Sequence, residues 1–71
     1  MFKGTIVFGE CEHDGDLNRY EEDLVACGAK IIGREINDDS EEGYVLVEVV
    51  DKNKFMEGFK KTDSFGFSSL A

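Results

Sequence analysis

The longest β-branched stretch of the chain is Tyr44-Val45-Leu46-Val47-Glu48-Val49-Val50, and nothing in it breaks a strand. Alternation places Val45, Val47 and Val49 on one face and Tyr44, Leu46 and Val50 on the other, with Glu48 the one polar residue among them. A strand apolar on both faces belongs in the interior of a sheet. A two-layer fold of this size has one helix layer to cover its sheet, so the face carrying Leu46 is either a second core face or a surface for a partner.

The pattern before that strand predicts three elements. Residues 2–9 read as a first strand, with Phe2, Ile6 and Phe8 on one face and Val7 on the other. A polar loop, residues 10–16, leads into a helix over 17–27, for which Asp14 or Asp16 is the expected cap. Leu17, Tyr20, Leu24 and Cys27 recur on its inner side, Arg19, Glu21, Glu22 and Asp23 fill the outer side, and Gly28 is suited to end it in the left-handed conformation. Residues 29–36 form a second strand, with Ile32 and Ile36 sharing a face with Lys30 and Arg34, and Ile31 opposite. Gly33 and the two basic residues suit an exposed edge.

After the polar turn 37–43 and the valine-rich strand, Asp51 is placed to cap a second helix over 52–61, with Phe55, Phe59 and Met56 facing the core. Residues 64–70 read as a last short strand with Phe65 and Phe67 on one face. The order strand, helix, strand, strand, helix, strand predicts an α+β, ferredoxin-like two-layer sandwich: a four-stranded antiparallel sheet with two helices on one face. The first and third strands would be central, the second and fourth edges. At 71 residues the chain is expected to be one domain, near the small end for independent folding, with six Phe supplying much of its core.

The run helix, Gly28, strand, turn, strand, ending in Val45-Leu46-Val47-Glu48-Val49, resembles small regulatory ferredoxin-like modules such as ACT-type domains. That resemblance implies fold alone and carries no binding residues with it.

Charge changes the picture more than composition does. Sixteen Asp and Glu against eight Lys and Arg give a net charge of −8. Such a surface repels nucleic acid and anionic membranes and attracts basic protein surfaces. In the expected topology the loop 10–16 and the turn 37–43 lie at the same end, while Glu21, Glu22 and Asp23 extend the acidic surface down the first helix. Lys52, Lys54, Lys60 and Lys61 are segregated to the second helix and its flanks.

Candidate chemistry is sparse. Cys11, His13, Asp14 and Asp16 are the richest short stretch, but no second Cys/His pair completes a zinc site and the Asp-x-Asp pair lacks the other ligands of a calcium loop. Cys11 and His13 have no third group to orient them as nucleophile and base. The glycines fit neither standard nucleotide fingerprint. Phe65-Gly66-Phe67 has no basic neighbours to make a base-stacking platform. No metal, cofactor or catalytic residue is therefore expected. Cys11 and Cys27 read as reduced thiols, Cys27 buried on the helix and Cys11 the more accessible. Met1-Phe2-Lys3 runs directly into a strand and no apolar run approaches the ~20 residues of a membrane helix, so a cytoplasmic protein is expected.

These observations converge on a non-enzymatic acidic interaction protein. Glu12, Asp14, Asp16, Glu21, Glu22, Asp38, Asp39, Glu41 and Glu42 are the residues expected to dock on a basic surface of a protein partner, including one that otherwise binds nucleic acid. In composition it resembles the nucleic-acid mimics and inhibitors that viruses direct at host enzymes. The alternative is a small regulatory module that dimerises through the open sheet face and binds a small ligand there.

Overall fold

A computed structural model describes the backbone of residues 1–71 and every side chain except that of Asp14. Among the described residues the chain forms strands β1 (Phe2–Phe8), β2 (Lys30–Asn37) and β3 (Glu42–Val49), helices α1 (Asp14–Ala26) and α2 (Lys52–Phe59), and a 3₁₀ segment, Asp63–Phe67. The strands make one antiparallel sheet in the order β1-β3-β2, so the valine-rich strand is central, as its pattern requires.

Both helices lie on one face of that sheet. Ile6 and Phe8 of β1 and Val45, Val47 and Val49 of β3 point to them, and all five are buried. Leu17, Tyr20 and Leu24 come down from α1, and Phe55 and Phe59 from α2. Aromatic rings join the layers: Phe8 stacks on Tyr20 at 4.5 Å and meets Phe59 edge-on at 6.3 Å, and Phe59 stacks on Phe55 at 5.5 Å. Phe8 is fully buried at the centre of this run. Truncating it to alanine would cost about 3–5 kcal/mol, a large part of what a domain of this size has.

The helix ends follow their local chemistry. Gly28 adopts φ +98°, its N–H bonds to the Val25 carbonyl and that of Ala29 to the Leu24 carbonyl, which closes α1 in a Schellman turn as expected. Asp51 caps α2 by accepting from the Lys54 amide at 3.1 Å. At the start of α1 the expectation is corrected. The helix begins three residues early, His13 occupies the cap position, and Asp16 reaches back to accept from the amides of Glu12 (2.9 Å) and His13 (3.1 Å). The expectation that Asp14 caps this helix falls on a side chain outside the described residues.

Strand β2 differs from its simple alternation. A bulge between Ile31 and Gly33 inserts Ile32 as an extra residue, which reverses the parity of everything before it. Ile31, Arg34 and Ile36 are therefore aligned with Val47, Val45 and Gly43 on the helix side, while Lys30, Gly33 and Glu35 oppose Glu48, Leu46 and Tyr44 on the open side. Lys30 does not share a face with Arg34.

The C-terminal segment corrects the expected fourth strand. Thr62 Oγ1 donates to the Phe59 carbonyl and Ser68 Oγ to the Phe65 carbonyl, both at 2.7 Å, and these local bonds hold the chain in a tight turn in place of a ladder. Phe65 packs on Phe59 and Phe67 on Tyr20, so the two rings do not share a strand face. What remains beside β1 is one bridge, Phe8 to Ser68, with Gly9 N–H on the Phe67 carbonyl and Ser69 N–H on the Val7 carbonyl. Strand β1 is thus an edge of the three-stranded sheet, shielded at one end, and not a central strand.

Candidate docking surface at the acidic end

The end of the molecule beyond Phe8 and Gly43, which pair across β1 and β3, carries the two acidic loops. Two non-glycine residues in the left-handed region shape them. Glu10, at φ 58°, turns the chain sharply after β1, and the Cys11 N–H then reaches the Glu41 carbonyl at 2.8 Å. Glu41, at φ 54°, closes the loop 38–41 between β2 and β3, in which the Asp39 N–H donates to Asn37 Oδ1 at 3.1 Å. The loop after β1 and the β2–β3 turn are therefore joined by a backbone bond.

This junction exposes Glu10, Glu12, Asp16, Asp38, Asp39 and Glu41 together, with no Lys or Arg in either loop. Glu42 is half-buried and its Oε1 accepts from the Tyr44 hydroxyl at 3.4 Å. Glu22 is exposed on α1. The side chain of Asp14, also among the expected docking residues, lies outside the described residues. The two amides that Asp16 accepts hold its carboxyl below the usual carboxylate range, so the negative charge is favoured where it stands.

Two acidic residues assigned to the outer side of α1 are engaged inside the molecule. Glu21 is 8% exposed, and its Oε1 pairs with the Arg34 guanidinium, which also donates to Asn18 Oδ1 at 3.4 Å. It lies four residues from Leu17 and three from Leu24, on the buried stripe itself, and that spacing was the available signal. Asp23 accepts from the hydroxyl of Ser64, a residue with no exposure. Glu10, absent from the expected docking set, belongs with it by position.

The thiols exchange the places expected of them. Cys11 is fully buried beneath Gly43, because the turn at Glu10 folds it inward and its Sγ donates to the Gly9 carbonyl. Cys27 is half-buried at the end of α1. Burial pushes both thiols up, Asp16 adding to the effect at Cys11 and Asp23 at Cys27. Cys11 is buried whereas His13 is exposed. Among the described residues no three His, Cys, Asp or Glu side chains converge as metal ligands do, and no helix is long and apolar enough to cross a membrane. What this end of the molecule offers is clustered, exposed negative charge. No protein-family model, curated protein or solved structure matches the chain.

Proposed function

We propose that the chain is a non-enzymatic interaction protein whose acidic end docks on a basic surface of a protein partner. The observation that supports this reading is the backbone bond from Cys11 to Glu41, which holds two lysine-free and arginine-free acidic loops side by side. Carboxylates arrayed in this way stand in for phosphates, so a surface that otherwise binds nucleic acid is the favoured partner, and the chain would act on it as an inhibitor or mimic, of viral type, in the cytoplasm. Association would be fast, steered by charge and sensitive to salt, since screening acts over about 10 Å at 0.1 M ionic strength. The sheet order β1-β3-β2, with Ser68 bridged to Phe8 where a fourth strand would add, supports reading the fold as a ferredoxin-like sandwich whose last strand is reduced to a turn.

The test compares the immobilised chain with a Glu12→Lys, Asp38→Lys, Asp39→Lys variant, each exposed to host lysate. The expected result is one basic nucleic-acid-binding protein held by the wild type, released by salt, displaced by duplex DNA and lost from the variant. Equal capture by a folded variant would overturn the reading.

A further inference from the structure

The sheet has one covered face and one open face. Across the open face the register forms rows in the order β1, β3, β2: Lys3, Glu48, Lys30 at one end, Thr5, Leu46, Gly33 in the middle, and Val7, Tyr44, Glu35 at the end nearest the acidic loops. The middle carries Leu46 between Thr5 and Gly33. Leu46 is 40% exposed there, and Gly33 beside it leaves its flank uncovered. Val50 at 83%, just past the end of β3, and Ile32 at 43%, at the bulge of β2, add exposed apolar surface.

We propose that this face binds a second copy of the chain, in a two-fold dimer whose axis crosses the strands at the Thr5–Leu46–Gly33 row. Charge selects both the occupant and the axis. Two sheets packed face to face keep their strands within about 30° of each other, so a two-fold axis in the interface runs either along the strands or across them. An axis along the strands lays each row on its own copy. Lys3 then faces Lys30, Glu48 faces Glu48, and the two acidic loop ends come together on molecules that each carry −8. Every one of those juxtapositions is repulsive.

The axis across the strands reverses the rows. Leu46 then packs on Leu46, Lys30 of each copy meets Glu35 of the other, and Glu48 meets the Tyr44 hydroxyl. The acidic loops go to opposite poles, each toward the end of the partner that carries Lys3 and Lys30. The face is thus self-complementary in one orientation and self-repelling in the other, a pattern suited to an isologous contact. A basic partner would gain nothing from the lysine row, and an acidic one nothing from Glu35 and Glu48. This dimer leaves the acidic loops free, so it neither requires nor excludes docking there.

Its strength follows from its size. Three strands at about 4.8 Å and some eight residues at about 3.3 Å make a face on the order of 400 Å² per copy, against about 800 Å² per partner in a standard stable interface. A face of about half the standard area is expected to hold a weak dimer, one that forms between about 10 μM and about 1 mM.

Sedimentation equilibrium of the full chain, from about 10 μM to about 1 mM, tests it with three variants. Lys30→Glu and Glu35→Lys each place like charges across the interface twice, by symmetry, and are expected to weaken the dimer at least about tenfold. The double swap restores opposite charges and the original net charge, and is expected to return Kd to within about threefold of wild type. Lys30 and Glu35 pair with different residues of β3, so rescue of one by the other reports a contact between copies and not a repaired fold. A chain that is monomeric at about 1 mM, or single-swap losses that the double swap does not repair, would overturn the proposal.

Discussion

Leu17 of α1 lies directly over Gly43 of β3, so close that a methyl group added at Gly43 would stand 2.5 Å from Leu17 Cδ2 and 3.1 Å from Cys11 Sγ. The glycine is there because a helix and a buried thiol both press on the strand at that point. Alanine at this position would gain at most ~1 kcal/mol in strand propensity. The overpacking it causes costs about 1–3 kcal/mol, since Leu17 and Cys11 are both without exposure and have nowhere to move. The clash wins, and Gly43→Ala should lower the urea midpoint at unchanged m-value. Combining it with Leu17→Ala should cost less than the two changes summed, because the new methyl fills space that the lost leucine vacates. Additive losses would show that the two residues do not share this space.

The Glu21–Arg34 pair makes a different prediction, one of asymmetry. Glu21 Oε2 is buried without a hydrogen-bond partner, and Oε1 depends on an arginine whose side chain is 41% exposed. Removing Arg34 leaves a carboxylate in the helix–sheet seam with water on one side only. Because the arginine is partly solvated, the cost is discounted from that of a fully buried pair, to about 1–2 kcal/mol for Arg34→Ala. Adding Glu21→Leu should then recover stability, since a leucine continues the stripe of Leu17, Tyr20 and Leu24 and has no charge to leave unpaired. Thermal unfolding of the two variants decides it: a double variant less stable than Arg34→Ala alone would mean that Glu21 contributes by itself.

Much of this fold is legible along the chain. Val45, Val47 and Val49 mark the central strand, Leu17, Tyr20 and Leu24 the buried side of α1, and Gly28 and Asp51 the two helix ends. The misreadings share a cause. Ile32 is bulged, so alternation counted through it assigns Ile31 and Lys30 to the wrong faces. Residues 64–70 carry strand-like aromatics, but their Thr and Ser hydroxyls bond to nearby carbonyls, which period counting does not see. Polarity alone puts Glu21 on the outer side of α1, although its position is on the buried stripe. The convergence of the two acidic loops was legible because it depends only on strand direction. Burial of Cys11 was not, because it depends on Glu10 adopting a left-handed φ that glutamate seldom takes.

The two thiols should be distinguishable in the folded protein. Cys27 is half-buried and Cys11 is fully enclosed beneath Gly43. Alkylation followed by peptide mapping should label Cys27 first, with Cys11 at least about tenfold slower and accelerated by denaturant in parallel with unfolding. Burial raises both thiols above their ordinary range, so labelling of Cys27 should still be climbing where an unperturbed thiol has reached its plateau. Prior labelling of Cys11 would place its loop outside the core and remove the contact on which the geometry of the acidic end depends.

Asp16 links helix stability to pH. Its carboxylate accepts the amides of Glu12 and His13, and those bonds hold its pKa below the ordinary value. Desolvation acts the other way, and the lowered pKa means that the amide bonds outweigh it. A group whose folded pKa is depressed contributes stability that is complete above its unfolded pKa and disappears as pH falls through the folded one. The difference in Tm between wild type and Asp16→Asn should therefore favour the wild type, stay level from neutral pH to about 5, and shrink as pH falls below the ordinary carboxylate range. An asparagine variant more stable than wild type at neutral pH would mean that repulsion within the acidic end exceeds the capping bonds.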